Sequence, residues 1–356
     1  MKKFKMISCW IVVSLIIQSG IFLFLNSYFK TNTNVTIKKI DIKQDEYNKD
    51  LHIDIPKHIE NEKISYDGHY IAFKEDNKLK VLDTLTGDSP KLELNKDFII
   101  SNFSWIYDRD RILISGKKDG EMIFYTIDMD NISNKKEVNV SSEMSDIKNS
   151  LKKHKHDLNT KDYTIKDCTI SPVTAVTYLK ISNKDDNEYI YRVDASDNFE
   201  KLDLNARHIK NMSIMPREDK LIYENSLNNN FYMTRTKPNP KINFKKQGNL
   251  KLLRISEDSK LYVGEVIKGN LKTVLCKSLI SNSSEENEIN LKEETPFKDV
   301  FVTIDGHVLV NSNSKSMVTD LTTNKEYKYK GNFLNFFEKG FTSLSEDNKL
   351  NKYTLK

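Results

Sequence analysis

The chain has 356 residues, 30% of them charged and 38% hydrophobic, with a formal net charge of +5 at pH 7. That composition excludes a polytopic membrane protein and suits one large soluble fold with a short apolar attachment. Residues 1–30 hold Lys2, Lys3, Lys5 and Lys30 and no acid, so 52 basic and 51 acidic residues leave the rest near neutrality, without the concentrated basic footprint of a nucleic-acid binder.

Met6 to Phe29 is uncharged and is preceded by three lysines within five residues. About 24 residues at roughly 1.5 Å each span a hydrocarbon core of about 30 Å. The positive-inside rule then predicts a cytoplasmic tail at 1–5, a transmembrane signal anchor at 6–29, a tether at 30–34 and an extracytoplasmic domain over 35–356. A cleaved signal peptide is the competing reading. It would need a shorter apolar region ending in small residues, and a cut at Ser19-Gly20 would expose Ile21-Phe22-Leu23-Phe24-Leu25. A lipoprotein reading through Cys9 has almost no apolar run before it. Only Cys168 and Cys276 then remain outside the membrane segment, and a domain of this size needs no disulfide framework.

Beyond the tether one pattern recurs. Tyr70-Ile71-Ala72-Phe73 follows Ser65-Tyr66-Asp67-Gly68-His69, and Leu79-Lys80-Val81-Leu82-Asp83 follows the polar turn Lys74-Glu75-Asp76-Asn77-Lys78. Two alternating runs across a tight turn predict a β-hairpin. Further hairpins are predicted at 111–128, 175–194, 221–233, 261–275, 307–320 and 341–355. With Tyr70, Ile112, Val176, Leu221, Leu261, Val308 and Phe341 as markers, the intervals are 42, 64, 45, 40, 47 and 33 residues. Most lie near the 40–50-residue period of β-propeller blades. An apolar stretch precedes most hairpins, and a further short run such as Lys91-Leu92-Glu93-Leu94 follows each of the first six. The prediction is an all-β propeller of seven four-stranded blades; six or eight are the alternatives. The last unit ends after its third strand, so its fourth is expected from Val35-Thr36-Ile37 or Leu51-His52-Ile53-Asp54-Ile55.

The stretch from Ser65 to Phe73, with Leu79 to Gly87, resembles blades of the TolB-like and WD-repeat-like propellers of bacteria, and those of prolyl-oligopeptidase-type peptidases. The resemblance covers about 25 residues and implies a fold, not a binding residue. No unit carries the full Gly-His … Trp-Asp signature of WD repeats.

The 64-residue interval contains an insertion over 141–157, where Met144, Ile147 and Leu151 fall at helical spacing. Ser142 is its expected cap. Its basic end, Lys148, Lys152, Lys153, His154, Lys155 and His156, is the candidate partner-binding surface, since loops on rigid scaffolds carry binding functions. The competing reading is a solvated helix terminus. His154-Lys155-His156-Asp157 does not reproduce a metallo-hydrolase motif, and three consecutive ligands cannot face one ion from a helix.

Nucleophile-elbow, zinc-protease and phosphate-loop motifs are absent. Acidic groups such as Lys184-Asp185-Asp186-Asn187-Glu188 fall in expected turns. Trp105 is expected in the core, with a carbohydrate platform as the alternative. No catalytic, cofactor-binding or metal-ligating residue is expected, and no cofactor. These observations favour a membrane-anchored interaction module for extracytoplasmic proteins or cell-wall polymers. The alternative is a glycan lyase or hydrolase whose carboxylates gather on one propeller face.

Overall fold

The computed structural model describes residues 6, 10, 13–24, 60–75, 78–94, 97–118, 121–129, 137–139, 163–196, 198–235, 238–280, 285–347 and 349–355. The chain divides into two compact units, Met1–Glu46 and Tyr47–Lys356. In the first, residues 13–24 are helical and their large apolar side chains, such as Phe22 and Leu23, are exposed. Among the described residues no helix is long and apolar enough to cross a membrane. The rest of the expected anchor, at 7–9, 11–12 and 25–29, lies outside the described residues, as do the insertion at 141–157 and the two candidate closing strands at 35–37 and 51–55.

The second unit is a seven-bladed propeller. Blade one is β1 (Glu60–Ile64), β2 (Tyr70–Glu75) and β3 (Lys78–Asp83); β4 (Lys91–Glu93) follows it. Blade two is β5 (Ile99–Trp105), β6 (Arg111–Lys118) and β7 (Glu121–Asp128), followed by β8 (Glu137–Asn139). Blade three is β9 (Tyr163–Ile170), β10 (Thr177–Asn183), β11 (Glu188–Val193) and β12 (Phe199–Lys201). Blade four is β13 (Ile209–Ile214), β14 (Leu221–Asn225), β15 (Asn230–Met233) and β16 (Lys241–Ile242). Blade five is β17 (Leu250–Ile255), β18 (Lys260–Ile267), β19 (Asn270–Ser278) and β20 (Glu286–Pro296). Blade six is β21 (Val300–Val302), β22 (Val308–Ser312), β23 (Met317–Asp320) and β24 (Lys325–Lys328). Blade seven is β25 (Asn332–Phe337), β26 (Gly340–Leu344) and β27 (Leu350–Thr354). Each blade is an antiparallel meander, as the hairpin pattern predicts.

Among the described residues three blades have three strands in place of the expected four: blade seven, whose candidate closing strands lie outside the described residues, and blades one and two. The outer segments β4 and β8 do not extend blades one and two; they pair with each other in parallel, Leu92 opposite Val138. Pro90 enters β4 without an N–H, so the chain cannot continue the ladder at that point. The connection instead returns through the Asp83–Asp88 turn, where Ser89 Oγ donates to the Val81 carbonyl at 2.8 Å.

The core lies between blades rather than within them. Strand side chains alternate, so each central strand supplies two interfaces. Tyr70 and Ala72 pack with Phe98, Phe103 and Ile114 of blade two, whereas Ile71 and Phe73 pack with Phe337 and Leu350 of blade seven. Leu113 faces blade three while Ile112 and Ile114 face blade one. Ile222 faces blade five and Leu221 and Tyr223 face blade three. Val308 and Leu309 divide in the same way between blades five and seven. Every junction, including that of the last blade with the first, holds one such cluster, so the ring is closed.

Candidate functional site

The innermost strands are irregular in a repeated way. In β1, β5, β9, β13, β17 and β25 the pairing slips by one residue against the second strand. A bulge of this kind bends a strand and increases its twist. Its freed N–H is met by a side chain at three places: the Oδ1 of Asn102, Asp167 and Asn335 accepts from Phe103, Cys168 and Phe336 respectively. The same amides tie blades together, Asn102 Nδ2 donating to the Lys166 carbonyl and Asn335 Nδ2 to the Glu62 carbonyl.

A cavity of about 320 Å³ opens among these strands. Its walls come from the innermost strands of blades one, two, three, five, six and seven and from the turns that follow them, so it is a mouth of the central channel. Arg254, near the end of β17, is its main charge. The guanidinium meets Glu338 Oε1 at 2.6 Å and donates to the Val302 carbonyl at 3.2 Å. The other oxygen of Glu338 accepts the Ile304 N–H at 2.8 Å. The ion pair therefore reaches from blade five past blade six to the turn after β25.

Aromatic rings surround this pair. The guanidinium lies 5.6 Å from the Phe301 ring centre and 6.0 Å from that of Tyr107, within cation–π range. Burial, then the Asp108 carboxylate, push the Tyr107 phenol up to about 12. Its hydroxyl thus stays a neutral donor and points to the Pro216 carbonyl at 3.5 Å. Lys63 donates to the Phe103 carbonyl at 2.7 Å, and Lys339 sits 4.3 Å over the Tyr66 ring. Among the described lining residues Glu338 is the one carboxylate, and no histidine contributes. The mouth can stack on rings and accept or donate hydrogen bonds.

Trp105 is packed at the junction of blades one and two, and part of it faces the cavity. It stacks on Tyr70 at 6.1 Å, donates its indole N–H to the Lys63 carbonyl at 2.8 Å, and lines the mouth. The acidic turn at 184–188 is closed locally, with Asn183 Oδ1 accepting from Asp185 and Asn187. Cys168 and Cys276 are free and buried in β9 and β19, and burial raises the Cys168 thiol to about 12. The candidate surface at Lys148, Lys152, Lys153, His154, Lys155 and His156 lies outside the described residues. Sequence reasoning did not single out Arg254, Glu338, Tyr66 or Tyr107. The available signal was positional: Arg254 is a charge near the end of a first-strand apolar run, and the others fall in the turn after one. One group with metal-ligand chemistry also emerges among the described residues, Asp67, His69 and Asp110, whose ligand atoms lie within 4.8 Å of one another.

No protein-family model matches this chain, and no curated protein matches it. Among solved structures it is similar to a prolyl endopeptidase, at 12% identity and a TM-score of 0.50, covering 76% of this chain and 42% of that one. It is also similar to the β-propeller domain of Myceliophteria thermophila Cps50 (Swd1), at 10% identity and a TM-score of 0.51, covering 86% of this chain and 100% of that one. The Dos1 propeller is a third, at 13% identity and a TM-score of 0.46, covering 86% of this chain and 82% of that one. The chain spans less than half of the endopeptidase and all of the Cps50 domain. At these identities the likeness concerns the propeller fold alone.

Proposed function

We propose that this chain is a membrane-anchored, extracytoplasmic propeller of the TolB-like kind, and that it receives a protein partner at the channel mouth framed by Tyr66, Trp105, Tyr107 and Phe301. The carrying observation is the Arg254–Glu338 pair. The mouth's single described carboxylate is already engaged by Arg254 and by the Ile304 N–H, while the rings around it offer the rigid aromatic contacts that interfaces favour. A glycan lyase or hydrolase would need a second carboxylate within about 10 Å; the other acids acting on Tyr107, Asp108 and Glu257, are not among the described lining residues, and they pair with Arg109 and Arg217. Anchoring is supported by the uncharged stretch at 6–29 behind three lysines and by the exposed apolar side chains of residues 13–24.

The test uses the full-length chain in intact membranes, with a photocrosslinking residue at Tyr66 or Tyr107 and, as control, at Leu227 in the turn between β14 and β15. A discrete protein adduct at the first two positions and none at Leu227 supports the reading. Equal labelling at all three, or none, refutes the docking site, and glycan-bearing adducts would redirect it to a cell-wall polymer. Resistance to alkaline extraction, with protease cleavage from the outer side only, tests the anchor separately.

A further inference from the structure

We propose that Asp67, His69 and Asp110, at the junction of blades one and two, form a binding site for a divalent transition cation such as Zn²⁺. His69 Nδ1 lies 3.1 Å from Asp67 Oδ2 and 3.7 Å from Asp110 Oδ2. Ligand atoms about 2.0–2.2 Å from one Zn²⁺ stand roughly 3–4 Å apart, and both imidazole–carboxylate distances fall in that range. Two carboxylate oxygens also approach a single imidazole nitrogen. A cation at the point where they converge would meet one nitrogen and two carboxylate oxygens.

The surroundings support the same reading. Asp110 is 7% exposed, and the side chains of His69 and Asp67 are only 26% and 22% exposed. The two neighbouring arginines are turned to other acids, Arg109 to Asp108 and Arg111 to Asp128, each at 2.8 Å. The cluster is also held in place before any ion arrives. Asp67 Oδ1 accepts from the His69 N–H and from Ser65 Oγ, which leaves Oδ2 facing the imidazole. The Asp110 carbonyl accepts the Met129 N–H at 2.9 Å, and the Tyr70–Trp105 stack joins the two blades nearby. One nitrogen and two oxygens suit zinc better than calcium, which prefers an all-oxygen shell.

The probe is Zn²⁺ itself, titrated into chelator-treated full-length protein while heat and thermal midpoint are followed. One equivalent should bind and raise the midpoint. His69→Gln should weaken binding by about 10–100-fold or more, with Asp110→Asn acting in the same direction. Since Asp110 is buried and its variant could misfold, half-buried His69 carries the decision. The His307→Gln variant and the His154→Gln/His156→Gln double variant should bind as the parent does. The proposal is overturned if zinc leaves the midpoint unchanged, if His69→Gln binds as the parent does, or if binding disappears with His154 and His156. A plain ion pair gives a distinct pattern: His69→Gln lowers the midpoint of metal-free protein, and zinc alters neither form.

Discussion

Glu224 on β14 has no solvent exposure, yet each of its oxygens is engaged. Oε1 pairs with Lys210 at 3.1 Å, and Oε2 accepts from Asn211 Nδ2 at 2.7 Å and from the N–H of Leu252 at 3.0 Å. The last bond crosses from blade four to blade five. Replacing Glu224 by Ala strands a buried N–H and an amide, which costs about 3 kcal/mol. Glu224→Gln keeps an acceptor and should cost roughly 1 kcal/mol. Urea midpoints of both variants measure the difference; equal losses would mean that the carboxylate matters only for its charge. A second junction, between blades three and four, is tied by Arg192. It grips both oxygens of Asp219, at 2.9 and 2.7 Å, while Tyr178 donates to the same carboxylate at 2.7 Å. Burial opposes ionisation of Asp219, but Arg192 and Tyr178 outweigh it and lower its pKa. Burial likewise opposes ionisation of Asp194, and hydrogen bonds from Asn198, Ser196 and Arg192 still hold it at about 2. An unfolded aspartate titrates near 3.9. Both therefore stabilise the fold above the unfolded value and lose that contribution as the solution is acidified, for Asp194 as pH falls towards 2, because the unfolded chain takes up protons first. Unfolding free energy should drop over that interval, and Asp194→Asn should flatten the drop. Parallel profiles for parent and variant would remove Asp194 from the account.

At the scale of elements, the bulged inner strands decide which residues can follow. Gly116 in β6 lies opposite Ile100 in β5, beside the bulge between Ile100 and Asn102. A Cβ there would stand 2.2 Å from the Ile99 carbonyl oxygen and 2.5 Å from the Phe98 ring. Gly269, in the turn between β18 and β19, has φ +90° and nothing within 4 Å. Gly116→Ala should thus force backbone apart and cost about 1–3 kcal/mol or more, whereas Gly269→Ala costs about 1 kcal/mol from its left-handed conformation alone. Thermal midpoints rank the two; a milder effect at Gly116 would contradict the close approach. The contrast also shows what the sequence made legible. The seven hairpins could be read because period-two alternation and polar turns are local properties, as at Tyr70–Phe73 with Leu79–Asp83. The bulges could not, since an Asn before a Phe is common, and Asn102 and Asn335 acquire their meaning only from the Lys166 and Glu62 carbonyls of neighbouring blades. The mouth failed for the same reason: Arg254 and Glu338 are 84 positions apart in the chain and 2.6 Å apart in space. Asp67-Gly68-His69 was legible as a turn but not as part of a cluster, because Asp110 belongs to the next blade.

At the scale of the molecule, closure changes what each junction contributes. In an open array of repeats a terminal unit touches one neighbour and its loss is roughly additive. Here Phe337, 2% exposed, packs with Ile64, Ile71, Phe73 and Leu82 of blade one, and Phe336 packs with Leu309 and Val318 of blade six. Removing β25–β27 would uncover both surfaces at once and release the Glu62 carbonyl from Asn335. A chain ending at Gly331 should therefore lose its cooperative unfolding transition, bind a hydrophobic dye and become protease-sensitive, and supplying residues 332–356 as a separate peptide should restore part of the transition. A subtler comparison avoids truncation. If the last junction is as tight as the others, Phe337→Ala costs about 3–5 kcal/mol, and so does Phe231→Ala between blades four and five. Phe231 is also 2% exposed and is enclosed by Leu250, Leu252 and Leu275. In a ring that opened between blades seven and one, Phe337 would already be partly hydrated, and its replacement would cost far less than that of Phe231. Denaturant midpoints for the two variants, with equal slopes, therefore report directly on whether the ring stays shut in solution.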